Sequence, residues 1–170
     1  LEMKHELLGE MVSEVSNDVK LPKSIQKTCA LAKFSSDKDY LKNSLNYHIH
    51  RACVKLRKIN AKCKGVSIFL RTKDFKVFCE KKILNAGCDF EMEISAIVFD
   101  LLDKIYNPNI LYRSTGVILE NFVLNSEEQM SLFSDLDKNE RSEKLAKCFD
   151  KLEARFGKDI VQTGFVKKDV

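Results

Sequence analysis

The chain has 170 residues, 44% of them hydrophobic and 32% charged, which suits one globular domain with appendages. Its net charge of +4 is unevenly spread: residues 23–124 carry 18 Lys and Arg against 10 Asp and Glu, whereas residues 1–22 carry 2 against 5 and residues 125–170 carry 9 against 10. No apolar run reaches the ~18 residues of a membrane span, since Ala96–Phe99 is cut off from Leu101 and Leu102 by Asp100.

In chain order, Leu7, Leu8, Met11, Val12 and Val15 predict a short amphipathic helix over 5–19, and Pro22 ends it by pushing the preceding residue out of helical conformation. Ser24–Phe34 reads as a first strand. Ser36 and Asp37 offer a cap, and the helix beyond it puts Leu41, Leu45, Ile49, Ala52, Cys53 and Leu56 on one stripe. Lys42, Lys55, Arg57 and Lys58 fall outside that stripe, facing solvent or a partner. Ala61–Gly65 reads as a turn and Val66–Thr72 as an alternating strand. Asp74–Leu84 is the next expected strand, tightly connected as in a hairpin. A second helix over 91–106 carries Ile94, Ile97, Val98, Leu101, Leu102 and Ile105, and Asn107-Pro108-Asn109 stops it. Tyr112–Leu124 is the last strand, with Gly116 marking a close backbone approach. Beyond a polar stretch around a hydrophobic island (Gln129–Phe133), a third helix is expected over 142–156, stopped by Gly157, then a short strand over 160–166.

The order β-α-β-β-α-β predicts an α+β domain: a four-stranded antiparallel sheet with two helices on one face, plus a C-terminal helical extension. The opposite face is left free to bind. A basic middle between acidic flanks fits a surface that neutralises phosphates, or a solvated charged face. The six cysteines form no C-x-x-C pair, so neither zinc nor a disulfide framework is expected. His48 and His50, two apart on a helix, point in different directions and cannot share an ion.

Four stretches resemble the UmuC/ImpB/MucB/SamB branch of the Y-family DNA polymerases, in its C-terminal little-finger domain. They are Ser24-Ile25, opening the first strand; the helix DYLKNSLNYHIHRACVKLRK, closing on Arg51, Ala52, Leu56 and Arg57; the strand VSIFLRT; and RSTGVILENF from Arg113 to Phe122. The likeness covers residues 23–133 and extends through the third helix to FGKDIV at 156–161. The family often has a second basic residue near Ser114 or Ile118, and this chain has none there.

The resemblance implies a division into a linker from a thumb region (1–22), the little finger (23–124), a linker (125–141) and a C-terminal helix and tail (142–170). It implies a sheet face lying along duplex primer-template DNA and following its backbone, with Lys23, Ser24, Lys27, Arg71, Lys73 and Arg113 as the DNA-binding candidates. Phosphate contacts position a protein without reading bases, which suits a polymerase that must hold damaged DNA. QMSLF resembles the bacterial sliding-clamp-binding pentapeptide, with Leu132 and Phe133 entering an apolar pocket beside Met130 and Gln129 setting the register. UmuD-type subunits and RecA are implied as further partners, with no residues assigned to them.

Catalysis and its magnesium belong, by the same resemblance, to a palm domain preceding residue 1. Asp37/Asp39 and Glu91/Glu93 stand at helix starts, where the dipole alone favours acids. A chain starting without Met suggests a piece of a longer, soluble, cytoplasmic protein with no membrane partner and no cofactor of its own. Two rivals share the pattern: a free-standing RNA-binding module stacking bases on Phe69, Phe75 or Phe78, and an adaptor that uses QMSLF without touching DNA.

Overall fold

The computed structural model describes residues 2–9, 21–124, 136–157 and 160. A short helix, α1 (Glu2–Leu7), comes first; the rest of the expected 5–19 helix and most of the expected 160–166 strand lie outside the described residues. Then follow β1 (Ser24–Ser35), α2 (Lys38–Lys58), β2 (Ala61–Thr72), β3 (Val77–Cys88), α3 (Glu91–Ile105), β4 (Tyr112–Leu124) and α4 (Leu136–Phe156). The expected β-α-β-β-α-β order and α+β class hold, in one antiparallel sheet of order β1-β4-β2-β3.

Helix α2 starts where Asp37 caps it, its Oδ1 accepting from the backbone N–H groups of Asp39 (2.9 Å) and Tyr40 (3.4 Å). It ends at Ile59 and Asn60, the latter left-handed at φ 51°. The stripe from Leu41 to Leu56 is buried throughout. Facing it are Ile94, Val98, Leu101 and Leu102 of α3. Beneath both helices, cross-strand pairs tile the sheet: Thr115 opposite Leu70, Val117 opposite Ile68, Leu119 opposite Val66, with Ile25 beside Leu119. Each of the large apolar side chains among these, Thr115 aside, contributes roughly 1.5–3 kcal/mol by leaving water.

Three sequence expectations shift. Ala61–Gly65 is strand, not turn: Ala61 and Cys63 are buried while Lys62 and Lys64 are half-exposed, an alternation disguised by small residues. The third strand runs over Val77–Cys88 instead of 74–84, because Lys73–Phe75 form the hairpin loop. Helix α4 starts at Leu136, not at 142. Near the end of β4, Asn121 at φ 56° lies in the left-handed region, and Phe122 beyond it packs against the core.

All six cysteines are free thiols, with Cys29, Cys79 and Cys148 exposed and Cys53, Cys63 and Cys88 buried. Burial raises the thiol pKa of all three inner ones, that of Cys63 to about 12. Among the described residues no helix is long and apolar enough to cross a membrane.

Candidate nucleic-acid interface

Both α2 and α3 lie on one face of the sheet. The other face is made of Gln26 and Thr28 of β1, Ser114, Gly116 and Ile118 of β4, Ser67, Phe69 and Arg71 of β2, and Cys79 and Lys81 of β3, by their register. Its centre is closed by an aromatic ring: a Cβ on Gly116 would lie 2.3 Å from Cε1 and Cζ of Phe69. The close approach expected at Gly116 is therefore made by Phe69. That ring, 8% exposed, offers little surface to a stacked base, and Phe78 pairs with Leu70 on the helix side. Of the three rings that a base-stacking module would use, Phe69 and Phe78 are thus poorly placed on this face, and Phe75, 66% exposed, lies in the hairpin loop at its end. Lys81 is ion-paired with Glu120, which also accepts from Ser67 Oγ (3.3 Å), so the middle of the face carries no unbalanced charge.

Cations with no ion pair among the described residues stand at its ends. Arg71 is exposed, opposite Ser114 and Val77. Lys73 is exposed in the hairpin loop, its N–H donating to Leu111 O (2.9 Å), which ties that loop to the start of β4. Arg113 is the extra residue of a bulge, since Ser114 pairs with Arg71 but Tyr112 with Thr72. The guanidinium lies 4.1 Å from the centre of the Phe75 ring. These three converge at one end of the sheet. Lys23 and Ser24 are exposed at the other, where Ser24 pairs with Glu120. Six residue steps along β1 separate that pair from Ala30–Ser114, a span of about 20 Å.

Lys27 is a correction. It pairs with Val117, and so shares the side of Ile25 and the helices, away from the open face. There it faces His48 of α2, whose pKa falls to about 4, mainly through burial and secondarily through the Lys27 charge. Neutral His48 sits with its Nε2 3.1 Å from Thr115 Oγ1, which is 2.8 Å from Ser44 Oγ, a polar trio between α2 and β4.

His50 points elsewhere, into an ionic cluster that sequence reading missed. Its Nδ1 lies 3.1 Å from both carboxylate oxygens of Glu91, and its Nε2 lies 2.6 Å from Glu153 Oε1 on α4. Arg57, far from facing solvent, donates from Nε and Nη2 to Asp150 of α4 (2.8 and 2.7 Å), from Nη2 to Glu91 (3.3 Å) and from Nη1 to Asp89 O (3.2 Å). Glu91, through its hydrogen bond, pushes the His50 pKa up to about 9, against the effect of burial. The Glu91 carboxyl, despite burial, is held below its ordinary value by His50 and Arg57. Helix α4 is thus fastened to the domain by charged hydrogen bonds. Other α2 cations are also engaged: Lys38 pairs with Asp103 (2.8 Å), and Lys42 lies over the Phe99 ring.

The described carboxylates near the helix starts are engaged within the fold. Asp37 caps α2, Glu91 is held between His50 and Arg57, and among the described residues no three metal-binding side chains cluster. The residues of the clamp-like peptide, Gln129, Met130, Leu132 and Phe133, lie outside the described residues.

With this architecture, an α+β domain whose helices α2 and α3 share one face of a four-stranded antiparallel sheet, the comparisons agree. Residues 22–132 match the impB/mucB/samB family C-terminal domain, and the chain belongs to that family. Protein UmuC of Salmonella typhimurium strain LT2 is 27% identical over 160 residues, covering 90% of this chain and 38% of the relative. Protein SamB of Salmonella typhimurium is 28% identical over 117 residues, covering 65% and 27%. The chain thus spans well under half the length of these relatives. Among solved structures, a Y-family DNA polymerase chimera superposes with a TM-score of 0.56 at 19% identity, over 72% of this chain and 35% of that one, a likeness of fold.

Proposed function

We propose that this chain is the DNA-gripping C-terminal portion of a Y-family translesion polymerase acting in DNA repair and the SOS response, holding duplex primer-template DNA without reading sequence. The observation that carries the reading is the division of charge on the open sheet face: a neutral middle, with Arg71, Lys73 and Arg113 at one end and Lys23 with Ser24 at the other. The span of about 20 Å between those ends matches the axial rise of roughly six base pairs. A face that touches DNA through separated cations and hydroxyls positions the backbone and ignores the bases. Membership in the impB/mucB/samB C-terminal family supports the same reading.

Binding of the full chain to a blunt duplex, followed across salt concentrations, tests it. With about four phosphates neutralised, log K should fall with log salt at a slope of about −3 to −4, equally for unrelated sequences. A flat salt response or a strong sequence preference overturns the grip.

The pentapeptide Gln129–Phe133 is the proposed tether to the bacterial sliding clamp. Replacing Leu132 and Phe133 together by Ala should abolish clamp binding and leave duplex binding intact; undiminished clamp affinity refutes the tether. A chain that bound clamp but no DNA would be an adaptor instead. UmuD-type subunits, RecA and a magnesium-dependent palm domain belong to the same proposal for the parent polymerase.

A further inference from the structure

We propose that Phe75, at the tip of the β2–β3 hairpin, is a stacking platform for an unpaired nucleotide of single-stranded DNA, with Arg71, Lys73, Lys76 and Arg113 placed for the flanking phosphates. The inference rests on the DNA-binding reading and extends it from the duplex to the strand beyond it.

Hairpin geometry comes first. Thr72 N–H donates to Lys76 O (2.8 Å) and Phe75 N–H to Thr72 O (3.1 Å), closing a three-residue loop, Lys73–Phe75. In such loops the last residue takes the left-handed conformation, and glycine is the residue suited to it. Here it is a phenylalanine at φ 65°. A bulky side chain in that region is strained, and strain of this kind concentrates at functional sites.

Burial does not offset the strain, because Phe75 is 66% exposed. Among the described residues the Arg113 guanidinium packs on it, 4.1 Å from the centroid, an arrangement that orients the ring while much of it meets water. The bulge that frees Arg113 from regular pairing is what brings the guanidinium there.

The surroundings select the ligand. Arg71, Lys73 and Lys76 are exposed within five positions of one another, with Asp74 the single acid of the loop. Cations around a solvent-facing ring complement a polyanion that carries π-faces. Duplex bases have both faces covered by their neighbours, so the partner that fits is an unpaired nucleotide. Single-strand binders combine a cationic path with aromatic stacking in this way, tolerating any base. Phe69, shut over Gly116, cannot play that part.

The test compares the full chain on a duplex bearing a single-stranded thymidine overhang and on the same duplex blunt-ended. The wild type should prefer the overhang. Phe75→Gly, which relieves the left-handed strain and so preserves the fold, should lower overhang affinity by about 5- to 100-fold and leave blunt-duplex affinity unchanged. Phe75→Trp should keep the preference. Undiminished overhang binding by Phe75→Gly overturns the proposal and leaves the ring as a protein contact; an equal loss on both duplexes overturns it as well. Loss of salt-dependent blunt-duplex binding in the wild type would sink the grip instead, while a surviving Phe75-dependent affinity for the overhang would still support the platform.

Discussion

Helix α2 carries two buried histidines, two residues apart, in opposite electrostatic surroundings. On the sheet side, His48 is neutral and meets hydroxyls, those of Thr115 and Ser44. On the side of α3 and α4, His50 is cationic and meets carboxylates, those of Glu91 and Glu153. The difference follows from what each side must join. The β4 side is a close-packed core, where ionic charge lacks solvation and neutral hydrogen bonds suffice. The α4 side joins a mostly polar helix, where charged hydrogen bonds supply the holding force and the specificity of docking.

The harshest way to break this contrast is Glu91→Ala, which leaves His50 and Arg57 without their shared acceptor. Removing one member of a buried ionic cluster should cost about 3–5 kcal/mol, read as a lowered midpoint in denaturant unfolding. A loss below about 1 kcal/mol would mean the cluster behaves as a surface pair.

Titration sharpens the contrast next. The folded-state pKa of His50 is raised from 6.5 to about 9, so its stabilisation is complete below pH 6.5 and is lost as pH rises through 9. That of His48 is lowered to about 4, so stability is lost on the other side, as pH falls from 6.5 through 4. Stability should therefore peak near pH 6.5, each limb falling by up to about 3 kcal/mol. His50→Gln should flatten the alkaline limb and keep the acid one; an unchanged alkaline limb would show that His50 is not protonated in the fold.

The mildest perturbation is Thr115→Val, which keeps the shape but removes the hydroxyl shared by His48 and Ser44. Loss of about 1–2 kcal/mol is expected, measured against the wild type at pH 7.

Much of this architecture was legible in the sequence because it rests on local periodicity. The stripe of α2, the Asp37 cap, the order of elements along the chain and the bounds of β4 all follow from residues close in sequence. Lys27 was misplaced although a signal was there: counting by twos from buried Ile25 puts it on the helix side. Edge strand β1 buries little else, so its parity was hard to see. The ionic cluster left no local trace, because Arg57 and Asp150 are 93 positions apart and either alone looks like a solvated charge. Arg113 was read from resemblance, but its bulge and its contact with Phe75 depend on strand register that only the folded sheet supplies.

The split among the cysteines makes the protein its own reporter. Cys79 sits on the open face, Cys29 on the outer strand and Cys148 on α4, so an alkylating reagent should label three elements without disturbing the core. Cys53, Cys63 and Cys88, shielded and held as thiols, should react only when the domain opens. Mass spectrometry after brief alkylation would then distinguish three thiols modified from six, and protection of Cys79 by added DNA would footprint the sheet face directly.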